Sequence, residues 1–153
     1  MYKHILVPVD GSPTSNRGLH EAIALGKLTG GSLRLIHAVD ELPFAIGAEA
    51  FAGYIGDVIG LLRQAGEKVL AAAKLEVEKA GLAVEVVLRE SFAGRVCNLV
   101  VDEAGFWPAD LIVIGTHGRR GASRLLMGSD AEQILRLAPV PVLLVRDPAP
   151  QQP

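Results

Sequence analysis

The chain has 153 residues, half of them apolar, which is enough for one domain around one core. A net charge of -2 and a pI near 6.1 give no global basis for binding nucleic acid or an anionic membrane, and neither is expected as a partner. The apolar runs are far short of a membrane span, and one cysteine, Cys97, excludes an internal disulfide. Met1 leads straight into a strand pattern without a secretory leader, so a reducing cytoplasmic setting is expected.

Strand-like and helix-like runs alternate along the chain. The first strand, 2–9, is nearly continuously apolar, as in a parallel strand covered on both faces, and it empties into Asp10-Gly11-Ser12-Pro13. Ser12 reads as the N-cap and Pro13 as the first-turn proline of a helix over 14–29. A second strand over 32–39 follows. Residues 40–56 then form an irregular stretch with Gly47, Gly53, Phe44, Phe51 and Tyr54, either a lid over a ligand or a loop packed on the core edge. A long helix over 56–80 carries the stripe Val58, Leu62, Ala65, Val69, Ala73, Val77 and ends at Gly81. The strand 82–89 alternates apolar residues with Glu85 and Arg89, which suits a sheet edge with one wetter face. A helix over 92–104 places Cys97 among its apolar positions, as a core residue.

The apolar strand 110–115 runs into Gly-Thr-His-Gly-Arg-Arg-Gly-Ala-Ser-Arg-Leu-Leu-Met-Gly-Ser, residues 115–129, before a last helix over 130–138. A glycine-containing basic loop that ends at a helix N-terminus suits phosphate. Glycine lets the backbone approach, the helix start offers open N–H donors, and Arg119, Arg120 and Arg124 add charge. Gly115, Gly118 and Gly128 serve either a phosphate or turns and packing. Ser129 either donates to phosphate or heads a capping box with Glu132. The pattern is neither a Walker loop nor the dinucleotide fingerprint. The last strand, 140–146, is apolar on both faces and carries Pro139 and Pro141 at its start, so it belongs at an edge that needs cover. The tail 147–153 is expected to be disordered.

Gly115-x2-Gly118-x9-Gly128-Ser129 resembles the nucleotide-binding signature of the ATP-binding branch of the universal stress protein family. Lys3 to Ser12 resembles that family's opening strand, Ala109 to Gly115 its fourth, and Pro139 to Val145 its last. The resemblance implies one α/β domain over 1–146, a doubly wound five-stranded parallel sheet of order 3-2-1-4-5, like the adenine-nucleotide α-hydrolases. It implies ATP as ligand, with or without Mg²⁺. Pro8, Val9 and Asp10 then lie at the adenine and ribose, Val39 offers backbone groups to the adenine edge, and Gly115, His117, Gly118, Arg119, Arg120, Gly128, Ser129, Asp130 and Ala131 lie around the phosphates. It also implies a homodimer paired along 140–146, acting on a further protein partner.

Asp130 stands where many nucleotide-binding relatives carry a small apolar residue. Its carboxylate suits the helix dipole, repels a triphosphate, or contacts Mg²⁺. The alternative function is therefore a nucleotide-independent interaction module of the same fold. No base for an attacking water and no fixed arginine finger is apparent, so at most slow ATP hydrolysis is expected. His4 and His37 are expected to be structural.

Overall fold

A computed structural model of the chain describes residues 1–40, 52–91, 95–116 and 128–146, with the side chains of 40 and 52–57 left aside. Five strands, β1 (His4–Pro8), β2 (Ser32–Asp40), β3 (Val84–Ser91), β4 (Leu111–Gly115) and β5 (Val142–Val145), alternate with helices α1 (Pro13–Thr29), α2 (Ala52–Lys79), α3 (Val96–Phe106) and α4 (Ser129–Leu137). The strands form one parallel sheet in the order β3-β2-β1-β4-β5. The order expected from the family resemblance is the order observed. Both strands that read as edges, β3 and β5, lie at edges.

The unbroken apolar runs of β1 and β4 are explained by cover on both faces. Ile5, Val7, Leu111 and Val113 pack with Leu19 and Ala22 of α1 and Leu70, Ala73 and Val77 of α2. Leu6, Ile112 and Ile114 point the other way, against Val100 and Ala104 of α3 and Ile134 of α4. Each such side chain, fully buried, contributes about 1.5–3 kcal/mol of transfer free energy. Cys97 lies in the second cluster, as its sequence position suggests.

Helix ends follow local chemistry. Ser12 caps α1, accepting from the Ser15 N–H, and Pro13 opens it. Gly81 adopts φ +79° after α2, and the Leu82 N–H returns 3.3 Å to the Val77 carbonyl. The buried stripe of α2 is centred on Gly66, Leu70, Ala73 and Val77, with Val69 at its flank, rather than on the Val58–Val69 line. One expectation is corrected. Ser129 does not head a capping box with Glu132, because the Glu132 N–H donates to the Gly128 carbonyl at 3.0 Å, so Gly128 is the N-cap and Ser129 is already helical. Among the described residues no helix is long and apolar enough to cross a membrane.

Candidate functional site

The sheet reverses strand order between β1 and β4, and in doubly wound sheets such a switch point leaves a crevice beyond the carboxyl ends of the strands. On one side stands the β1–α1 turn. Its Asp10 Oδ1 accepts the Ser12 N–H at 2.8 Å, and the Asp10 N–H donates to Ser15 Oγ at 3.1 Å. Gly11 takes φ +78°, a conformation that a residue with a Cβ reaches only under strain. The Asx turn legible in Asp-Gly-Ser is thus formed, and it closes the N-terminus of α1 on its own side chains.

Val9 is buried, and its backbone is committed: its N–H donates to the Ile36 carbonyl at 2.9 Å, and its carbonyl is 2.7 Å from His37 Nδ1. His37 is therefore structural. Its ring fills the space that a side chain on Gly66 would need, since a Cβ there would stand 2.5 Å from the imidazole. Pro8 is half-buried at the end of β1, and Val39 is buried near the end of β2, so only backbone at Val39 can face a ligand. A cleft of about 300 Å³ opens beside this turn on the α1–α2 side, floored by Val9, Val69 and Ala73 and rimmed by Asn16, Lys68 and Glu76.

On the other side stands the end of β4. A Cβ on Gly115 would lie 2.6 Å from the Thr14 carbonyl oxygen, and one on Gly18 would lie 3.2 Å from the Gly115 nitrogen. The start of α1 therefore packs directly on the end of β4, and Gly115 has a packing reason that needs no ligand. The next residue, buried Thr116, was not singled out from the sequence. Its N–H donates to the Val145 carbonyl at 2.9 Å and its carbonyl accepts the Gly128 N–H at 2.8 Å. These two bonds join β4, β5 and the start of α4. Nothing in the sequence marks Thr116 apart from its place between two glycines of the motif.

Helix α4 starts at Gly128 without a side-chain cap, and its first turn carries Asp130 and Glu132. Ser129 and Asp130 are exposed, whereas Ala131 is buried in the second core cluster and can offer a ligand only its backbone. Asp130 lies near enough to Cys97 for its charge to add to burial in pushing the thiol up. His117, Gly118, Arg119 and Arg120, like the irregular stretch 41–51 and the tail from 147, lie outside the described residues. No group of three or more His, Cys, Asp or Glu among the described residues could hold a metal ion.

Strand order and helices on both faces define a doubly wound α/β domain. The chain belongs to the universal stress protein family, whose model matches residues 1–146. It is similar to the universal stress protein MJ0531 of Methanocaldococcus jannaschii, 35% identical over 149 residues that cover 97% of this chain and 84% of that one. A universal stress protein of Thermus aquaticus is 32% identical over 149 residues, covering 95% of this chain and 100% of its own. Among solved structures, that of hypothetical protein MJ0577 superposes with a TM-score of 0.83 at 28% identity, over 97% of this chain and 98% of that one. A family member from Burkholderia pseudomallei superposes with a TM-score of 0.76 at 30% identity, over 97% of each chain.

Proposed function

We propose that the chain is a cytoplasmic module that binds ATP in the crevice and whose nucleotide state tunes its contacts with protein partners. The carrying observation is the start of α4. Its cap, Gly128, supplies no side-chain acceptor to the first turn, and the helix begins at the end of a basic, glycine-containing segment, the arrangement that suits an anion. The start of α1 is closed by Ser12 and Asp10, so an anion is directed to α4. Helix α3 also opens without a side-chain cap, at Arg95, but it follows the edge strand β3 rather than the switch point. Two neighbours of the fold hold adenine nucleotides: a universal stress protein in complex with cAMP (TM-score 0.67, 22% identity) and one from Archaeoglobus fulgidus in complex with dAMP (TM-score 0.67, 24% identity). That likeness is one of fold alone.

In this reading Asp10 meets the ribose or adenine, Pro8 and Val9 line the base, and the Val39 backbone reads its edge. Gly115, His117, Gly118, Arg119, Arg120, Gly128, Ser129 and the Ala131 N–H surround the phosphates. Two copies pair along β5, whose Leu143 is exposed, with Leu135 and Leu137 of α4 also exposed. A second reading, a module that works without nucleotide, is favoured by the exposed Asp130 in the first turn of α4, which opposes a triphosphate unless Mg²⁺ bridges the two.

The test is to denature protein purified without added nucleotide, chromatograph what it releases, and titrate stripped protein with ATP, with and without Mg²⁺. Co-purified adenine nucleotide or a Kd on the order of micromolar supports the ATP module. Absence of both moves the reading to the nucleotide-independent one. Asp130→Val tightens ATP if the carboxylate opposes phosphate, and weakens Mg²⁺-dependent binding if it holds the metal.

A further inference from the structure

The outer edge of the sheet carries a charge pattern that reverses sign about its middle. In Val84-Glu85-Val86-Val87-Leu88-Arg89-Glu90, Glu85 and Arg89 lie two residues either side of Val87 and share its face of the sheet. On that face Glu103 of α3 is wholly buried, 0% exposed in its side chain. It accepts from Arg34 Nη1 at 2.5 Å and from Arg89 Nε and Nη2 at 2.9 and 2.5 Å. Arg34 in turn donates through Nε to Glu85 at 3.1 Å. A run of alternating charge, Glu85–Arg34–Glu103–Arg89, thus starts and finishes on the edge strand at two groups of opposite sign, 59% and 43% exposed.

Backbone phase fixes what such an edge can pair with. The Leu33 N–H donates to the Ala83 carbonyl at 3.0 Å, and the β2–β3 register runs on without a break to Ser91. Residues 85, 87 and 89 therefore turn their backbone groups toward β2, and 84, 86, 88 and 90 turn theirs outward.

We propose that a second copy of this chain pairs antiparallel along β3 with the twofold axis at Val87. Outward-facing Val86 then bonds Leu88 of the second copy, and Val84 bonds its Glu90. The closely spaced pairs without hydrogen bonds are Val87 with Val87 and Glu85 with Arg89, twice. The ion pairs close a ring: Glu85, then Arg89, Glu103 and Arg34 of the second copy, then its Glu85 and the same three residues of the first. Moving the axis by one residue sets Glu85 against Val87 or Ser91 and loses both pairs. Charges on an edge strand ordinarily repel a docking strand, but opposite signs at symmetric positions admit a second copy and discourage most others. Val86, 41% exposed, gains cover. One strand pair buries less than the roughly 1,200 Å² of a stable complex, so the association is concentration-dependent. It uses the edge opposite β5 and stands independently of nucleotide.

The test is site-directed cross-linking of the full chain with copper phenanthroline and oxygen. Val87→Cys is expected to form covalent dimer about tenfold faster than Val86→Cys, because equivalent Val87 residues face each other across the axis at disulfide range. Random collision predicts the reverse order, since Val86 is the more exposed. Wild type is the blank, its Cys97 being 1% exposed. Adding Glu85→Lys to Val87→Cys sets like charges opposite each other and should slow the reaction about tenfold; Arg34 keeps Glu103, so the fold persists. Because β3 is the edge opposite β5, sedimentation at rising concentration should show species larger than a β5-paired dimer for wild type and fewer of them for Glu85→Lys. A Val87→Cys rate no greater than that of Val86→Cys, or one unmoved by Glu85→Lys, overturns the proposal and leaves the edge to a foreign strand or to solvent.

Discussion

Gly115→Ala separates two reasons for one residue. Gly115 is a motif glycine, expected at a phosphate, yet its Cβ position is already occupied by α1: the Thr14 carbonyl oxygen lies 2.6 Å away, its carbonyl carbon 2.7 Å and the Ser15 nitrogen 3.1 Å. Ordinary carbon–oxygen contact needs roughly 3.3 Å or more, so helix and strand must part by several tenths of an ångström. Neither side yields easily. Thr14 and Ser15 are buried in the first turn of a capped helix, and β4 is buried along its whole length. The obstruction is backbone, with no flexible side chain to swing aside. Overpacking of this kind costs about 1–3 kcal/mol. In a domain of this size that lowers Tm by about 2–4 °C per kcal/mol. Urea denaturation in buffer free of nucleotide is the assay, because any loss there owes nothing to a ligand. A Gly115→Ala protein as stable as wild type would refute the contact argument and return Gly115 to phosphate alone. If the loss is found, weakened ATP binding in this variant cannot by itself prove a phosphate contact.

Gly60 in α2 and Gly105 in α3 have nothing within 4 Å of a built Cβ, so Gly60→Ala and Gly105→Ala should each raise stability by about 0.5–1 kcal/mol; unchanged or lower urea midpoints would contradict this. Glu103→Gln removes the charge between two guanidiniums at fixed volume. Breaking a buried pair costs about 3–5 kcal/mol, and because Arg34 and Arg89 are 17% and 43% exposed and partly rehydrate, a loss of about 2–3 kcal/mol is expected. A urea midpoint equal to wild type would sink that account. Burial and the nearby Asp130 charge push the Cys97 thiol up, so the folded protein should resist a disulfide reagent near neutral pH and react only once denatured. Since the shift favours the neutral thiol, its stabilisation is full below the ordinary thiol pKa and fades as pH rises past it. Rapid labelling of the folded chain at pH 7 is the contrary result.

The fold was legible because its signals were redundant. Continuous apolar runs in β1 and β4, proline at the head of β5 and a glycine after α2 each select one element type, and each agrees with its neighbours. The Asp10 turn was legible as a local motif. What escaped was tertiary. Glu103 occupies a helix position among Val100 and Ala104 that looks merely interrupted, until Arg34 and Arg89, far away in sequence, arrive on the same face. Thr116 matters through its backbone, and the side-chain alphabet carries no sign of that. The Ser129 capping box failed by one residue because Gly128 supplies the first helical carbonyl, a choice set by how the chain returns to Thr116.

That one-residue shift bears on function. Had Ser129 capped α4, its hydroxyl would have consumed one of the first-turn donors, and both helices at the crevice would have been closed. With a glycine cap, α4 has no side-chain acceptor like the Ser12 hydroxyl that takes the Ser15 N–H in α1, and its start lies beside the point where β4 and β5 meet at Thr116. In the proposed reading this asymmetry favours α4 as the anion's place, and Asp130 lies in its first turn rather than at the cap. A carboxylate at the cap would itself accept first-turn N–H groups, whereas one in the first turn would act on an anion there chiefly through its charge. In the proposed ATP reading the helix start that faces the phosphate also sets a charge against it, and Mg²⁺ would be the component that reconciles the two.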